Sequence, residues 1–202
     1  MNVSKNKEDQ IMAAARKLFF AKGYDGTSVQ DIAKSASTTK SMVNYYFRSK
    51  EKLFSIIFRE EFRNLFSSIG FMIMSDVPLK NKIQQIIELD TEKLIQFPSL
   101  PIFVMSELHR NPEVILKDLE GIPIKLMLQR LDDDIRKEVK KGAIQYIEPI
   151  ELMMYVQSMT IYPMLAKPLV TTRLGLSEKA FNQKMNQRKT TLTDFIWKSI
   201  KK

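Results

Sequence analysis

Apolar residues return every three or four positions along most of this 202-residue chain, the spacing that gathers side chains on one face of an α-helix. Ile11, Ala14, Ala15, Leu18 and Phe19 predict a first helix over 5–22, stopped by Gly23-Tyr24-Asp25-Gly26. A short helix over 29–34 follows, capped by Thr27 or Ser28, whose hydroxyl accepts from an otherwise unpaired amide. Ala36 and Ser37 make a tight connection, and Thr38 or Thr39 caps a third short helix over 40–47. Leu53, Phe54 and Ile57 open a long helix that runs to 74, where Asp76-Val77-Pro78 breaks the chain. A helix over 79–96 buries Ile83, Ile86, Ile87 and Leu94. Pro98 and Pro101 precede a short helix over 102–109, and Asn111-Pro112 starts another, because proline suits the first helical position. Gly121 and Pro123 interrupt before a strongly amphipathic helix over 124–141, with Leu128, Leu131, Ile135 and Val139 on one side. Pro149 opens an apolar helix to 167, 171–177 reads as a loop, and Phe181, Met185, Leu192, Phe195, Ile196 and Ile200 stripe a last helix over 178–200. No strand-type alternation interrupts this pattern, so the fold class is all-α.

Composition narrows the chemistry. The chain has no cysteine and one histidine, His109, which excludes disulfides, thiol nucleophiles and a Cys- or His-based metal site. No Ser-His-Asp set, paired carboxylates or phosphate loop is visible, and Asp132-Asp133-Asp134 reads as a solvated helix face, so we expect no enzyme, no cofactor and no metal. The polar start and the lack of a long apolar run predict no signal segment, no membrane span and a cytoplasmic protein. The charge is uneven. The formal net charge is +9, and residues 1–50 carry nine basic against four acidic residues, so more than half the excess lies in a quarter of the chain. Such a front favours an anionic polymer.

The second and third helices and their tight turn have the size of a helix-turn-helix unit, whose second helix enters the major groove. Ser37-Thr38-Thr39-Lys40-Ser41 offers hydroxyls, a helix N-terminus and an ammonium, all able to bond phosphates or base edges. Val43 and Phe47, four apart, anchor the helix on the core, while Asn44 and Tyr45 follow as polar groups; Tyr46 reads equally as a partly buried aromatic.

The blocks Ile11–Phe19, Gly23-Tyr24, Thr27-Ser28-Val29, Asp31-Ile32-Ala33 and Val43-Asn44-Tyr45-Tyr46-Phe47-Arg48-Ser49-Lys50-Glu51-Lys52-Leu53-Phe54 resemble the TetR/AcrR family of bacterial transcription regulators over 10–57. The resemblance implies an N-terminal three-helix DNA-binding domain, 1–50, and a larger helical ligand-binding and dimerisation domain, 51–202. It implies that Thr27 touches a phosphate, that Thr38, Thr39, Lys40, Ser41 and Met42 lead the recognition helix, that Asn44 and Tyr45 meet the DNA backbone, and that Lys50 clamps a phosphate. Asn44 stands where many relatives have an aromatic residue, and Met42 is bulkier than the small residue often found there.

A two-fold homodimer through the last two helices and a palindromic DNA operator are implied as well. The residues agree in one respect: 150–166 is apolar nearly all round, unlike the surface helix of a monomer. Trp197 and Phe195 fit an interface or a core. For the implied effector pocket, Phe62, Phe66, Phe103, Met105, Met127, Tyr155 and Met159 are the candidate lining, since Met and aromatic side chains suit an adaptable apolar cavity. His109 either orients a polar ligand group or ends its helix as a cation. Two functions follow: a repressor of efflux or stress genes released by an apolar or amphipathic small molecule, or a ligand-independent DNA-binding protein acting in chromosome organisation or through a protein partner. An open cavity favours the first and a filled core the second.

Overall fold

In the computed structural model the described residues are 2–110 and 112–202, with side chains described from 7 onwards except at 114. They form eleven helices and, as the one β feature among them, an isolated antiparallel bridge between Ile144 and Lys201. The helices are α1 (Asn2–Lys22), α2 (Val29–Ser35), α3 (Lys40–Phe47), α4 (Lys50–Met74), α5 (Leu79–Gln96), α6 (Leu100–Arg110), α7 (Pro112–Asp118), α8 (Ile124–Lys140), α9 (Pro149–Leu165), α10 (Lys167–Leu174) and α11 (Glu178–Ser199). Pro112 begins α7 as its position predicts, while Asn111 lies outside the described residues. The chain divides into two compact units, Met1–Arg63 and Asn64–Lys202, so that α4 contributes to both.

The first unit buries Ile11, Ala15 and Phe19 of α1, Ile32 and Ala33 of α2, Val43 and Phe47 of α3, and Leu53, Phe54, Ile57 and Phe58 of α4. Phe19 and Tyr24 both meet Phe54 edge-on, at ring separations of 5.1 and 4.8 Å. Arg16 donates to Glu60 at 2.5 Å and to the buried Glu61.

The second unit has a larger core. Ile83, Ile86 and Ile87 of α5 meet Leu131 and Ile135 of α8, Leu152 and Val156 of α9, and Leu192 and Ile196 of α11. A charged knot closes one end. The buried Lys82 donates to the Ile73 carbonyl and to Asp134, both at 2.5 Å, and Lys137 and Arg130 also donate to Asp134. Burial raises the Asp134 carboxyl, but the hydrogen bonds from Lys82 and Lys137 and the charges of Lys82 and Arg130 outweigh it and hold it below its ordinary value. This corrects the sequence reading: of the three aspartates, Asp133 faces solvent and Asp132 is half-buried, but Asp134 turns inward, because a buried lysine on α5 needs a counter-charge.

A second correction concerns 167–174, which is helix α10 and not partly loop. Pro168 fits its first turn, and Gly175 at φ +61° closes it with an amide donated to the Thr171 carbonyl. Thr171 and Thr172 are weak helix formers and α10 has no fully buried residue, so no apolar period marks it. Phe195 is also an exception: the other residues of its predicted stripe are buried, whereas it is 58 % exposed.

Candidate nucleic-acid interface and ligand cavity

The turn between α2 and α3 is set by local hydrogen bonds. Ser28 caps α2 in a reciprocal box with Asp31: its Oγ accepts from the Asp31 amide at 3.1 Å, and its own amide donates to Asp31 at the same distance. The side-chain and backbone donors of Ser28 hold the Asp31 carboxyl below its ordinary value. α2 ends with Ser37 at φ +48°, the Thr38 amide donating to the Ala33 carbonyl and the Ser37 amide to Lys34. Crossed bonds of this kind around a left-handed residue turn the chain sharply. Thr39 then caps α3, accepting from the Met42 amide at 3.2 Å.

Helical periodicity does the rest. Val43 and Phe47 are buried, so Lys40, Ser41, Asn44 and Tyr45 share the opposite, solvent-exposed side of α3 with Thr39 at its N-terminus. Tyr45 is 78 % exposed. Thr38, Met42 and Tyr46 are half-buried beside them. The surface is therefore a short helix with two hydroxyls, an amide, a phenol and an ammonium pointing outward. Such a set can bond both phosphates and base edges.

Thr27 and Lys50 sit differently. Thr27 is buried, and its hydroxyl donates to the Gly23 carbonyl at 2.8 Å. Lys50 Nζ donates to the carbonyls of Tyr24 and Thr27 at 3.0 and 3.1 Å and lies 3.9 Å from the centre of the Tyr24 ring. It fastens the 23–28 loop to α4, with one ammonium N–H beyond those two bonds.

The second unit contains a cleft of about 260 Å³ lined by Phe66, Ile69 and Ile73 of α4, Ile124, Met127 and Leu128 of α8, and Ile150, Met153, Met154 and Gln157 of α9. Gly70 packs against Met127 of this lining: a Cβ there would lie 3.0 Å from the Met127 sulfur, so the missing side chain is what admits Met127. Of the candidate lining residues, the cleft gathers Phe66 and Met127. Met159 lines a separate recess with Arg188, Thr191, Leu192 and Phe195. Phe62 falls in the first unit, Phe103 is half-buried on α6, and Met105, His109 and Tyr155 are exposed. Periodicity placed Phe66 on its helix but could not reveal Gln157, whose partner is distant in sequence. Gln157 Nε2 donates to Asp90 Oδ2 at 2.7 Å, and burial pushes the Asp90 carboxyl up to about 7 against the lowering effect of that bond.

α9 is apolar on both sides. Leu152, Val156 and Met164 are buried, yet Ile150, Met154, Tyr155, Tyr162 and Leu165 stand exposed, and Phe195 of α11 is exposed too. No helix among the described residues is long and apolar enough to cross a membrane.

Residues 11–56 match the family model for bacterial regulatory proteins of the tetR family. The chain is 28 % identical over 135 residues to the negative transcriptional regulator IcaR of the biofilm operon icaADBC in Staphylococcus aureus (strain Newman), covering 66 % of this chain and 68 % of that protein. It is 26 % identical over 180 residues to the transcriptional regulator RutR of Escherichia coli (strain K12), covering 88 % and 84 %. The structure of PfmR, a TetR-family regulator from Thermus thermophilus, shares the fold at a TM-score of 0.60 and 19 % identity, covering 93 % of this chain and 97 % of that one. A capped recognition helix with a polar outer face lies inside 11–56, the segment that matches the tetR-family model, and makes this chain a DNA-binding transcriptional regulator similar to that family.

Proposed function

We propose that the chain is a homodimeric repressor that leaves a palindromic operator when a small, largely apolar molecule enters the cleft of its second unit. The cleft is the observation that carries this reading: an open space among α4, α8 and α9, where a filled core would favour ligand-independent binding. Operator contact falls to the outer face of α3. Thr38, Thr39, Lys40, Ser41, Met42, Asn44 and Tyr45 meet bases and phosphates, and Lys50 offers its remaining N–H to a phosphate while it and Thr27 shape the loop.

The partner is a second copy of the chain. An exposed row of Ile150, Met154, Tyr155, Tyr162 and Leu165, continued by Phe195, is costly to leave in water and matches the apolar centre of a dimer interface. A two-fold dimer then offers two recognition helices to half-sites about 34–36 Å apart, or a multiple of that. Ligand relieves repression only through its differential affinity for the DNA-competent and DNA-incompetent geometries. α4 supplies Phe66, Ile69 and Ile73 to the cleft and its first fourteen residues, 50–63, to the first unit, so a shift along it couples the two.

Fluorescence anisotropy on duplexes from upstream of the chain's own gene tests the reading. Tight binding that requires a palindrome, and weakens on adding an apolar ligand, is the expected result. Equal binding to all duplexes with a steep salt slope would reduce the interaction to phosphate attraction. Palindrome-specific binding untouched by any ligand that occupies the cleft would leave a ligand-independent regulator.

A further inference from the structure

The cleft is apolar with one exception. Nine of its ten lining side chains carry no nitrogen or oxygen, and the tenth is Gln157. Among the described residues no charged side chain lines it. A charged ligand would therefore lose its hydration without a counter-charge, which is far costlier than losing the hydration of a neutral group.

Gln157 is not free to choose how it meets a ligand. Its amide nitrogen is committed to Asp90 at 2.7 Å, and Asp90 is 1 % exposed behind it on α5. An ionised carboxylate only accepts, so it can be satisfied by the nitrogen end of the amide alone. That orientation turns Oε1 away from Asp90, so the amide offers the cleft an acceptor, with its second N–H beside it. Asp90 thus sets the polarity that the cleft presents without touching its contents.

We infer that the cleft takes an uncharged, mainly aliphatic molecule bearing one hydrogen-bond donor of the alcohol class, whose hydroxyl donates to Gln157 Oε1 while its chain lies among Phe66, Ile69, Met127 and Met153. This rests on reading the cleft as the effector site and adds the chemical class to it. The cleft's about 260 Å³ suits a small ligand rather than a bulky one, being just under the range of drug-sized pockets. Three methionines in the lining adapt to chain shape, so discrimination falls to the head group.

Two isomers separate the terms. 1-Octanol and 1-methoxyheptane have the same atoms and similar apolar bodies, but only the alcohol has a donor for Gln157 Oε1. Isothermal titration of the full chain at pH 8.5, where Asp90 is ionised, should show the alcohol binding about tenfold more tightly than the ether. It should bind about tenfold or more tightly than octanoate as well. In Gln157→Leu the alcohol's preference over the ether should fall to within about twofold, as the acceptor is gone. That variant leaves Asp90 buried and unpaired, so the double variant Asp90→Leu, Gln157→Leu, which removes both partners together, is measured beside it. Equal binding of alcohol and ether by the parent, or octanoate binding as tightly as octanol, overturns the inference while the cleft remains a ligand site. A preference that persists in the double variant overturns it too. No heat from either isomer would remove the effector reading itself.

Discussion

Two lysines in the first unit carry the same charge in different settings. Lys50 is tied to the Tyr24 and Thr27 carbonyls and to the Tyr24 ring, whereas Lys40 projects from the exposed side of α3. Lys50→Met should strand two carbonyls and lower stability by about 1–3 kcal/mol, read as a fall in melting temperature. Lys40→Met should leave the melting temperature unchanged and make the slope of log K against log salt shallower by about one unit. Equal melting temperatures for the two variants would remove the structural role assigned to Lys50. Asp90 makes a prediction of the opposite kind. Its folded value, about 7, lies above its ordinary 3.8, so its contribution is fully present below about pH 4 and is lost as pH rises through 7. Asp90→Asn keeps an acceptor for Gln157 and removes the titration. Thermal melts should find the variant more stable than the parent at pH 8.5, by a few kcal/mol at most, with the gap narrowing towards pH 4. A gap of constant size across pH would show that the carboxyl is not the cause.

At the scale of elements, the sequence is most legible where one local rule acts alone. α5 is found over its full predicted span, because its apolar period is unbroken and a proline precedes it. α3 spans the predicted residues, and the choice between Thr38 and Thr39 as its cap is settled by which amide lies within reach, that of Met42. Legibility fails where the determining partner is remote: Asp134 looks solvated until Lys82 is opposite it, and Gln157 looks like one polar residue in an apolar helix until Asp90 is behind it. α9 shows both sides of this. Its apolar character all round is plain in the sequence, but which half is core follows only from the packing of Leu152, Val156 and Met164. The other half makes its own prediction. Tyr162 is 66 % exposed, so Tyr162→Glu should leave the helical content and the core unaltered. If that face joins two copies, light scattering should find the parent a dimer and the variant a monomer that has lost its preference for a palindrome. A variant that stays dimeric, or a parent that is monomeric, would move the interface elsewhere.

For the molecule as a whole, the question is whether occupancy of the cleft and grip on DNA are one equilibrium. Gly70 offers a way to ask it without a ligand. It lies on the same side of α4 as Phe66 and Ile73, one turn from each, and any side chain there must displace Met127, which already sits 3.0 Å from where its Cβ would be. Met127 is flexible at that end, so it can yield into the cleft. Glycine is also a poor residue for a helix interior, and its replacement by leucine returns roughly 1 kcal/mol of helix propensity against the strain of repacking. Gly70→Leu should therefore fold, with its cleft filled from within. A molecule that no longer admits 1-octanol should hold the operator as the parent does, yet fail to release it when the alcohol is added. Where the parent's operator affinity falls by about 5–150-fold, the span of ordinary coupling energies, the variant's should fall hardly at all. If the inserted side chain instead acts as a ligand does, the operator affinity of the variant is low from the outset, and the coupling is the same with its sign reversed. Both outcomes make the cleft and the recognition helix parts of one switch. Anisotropy titrations in which the variant binds the operator and responds to the alcohol like the parent would separate them, since a filled cleft cannot be both irrelevant to DNA binding and the place from which it is controlled.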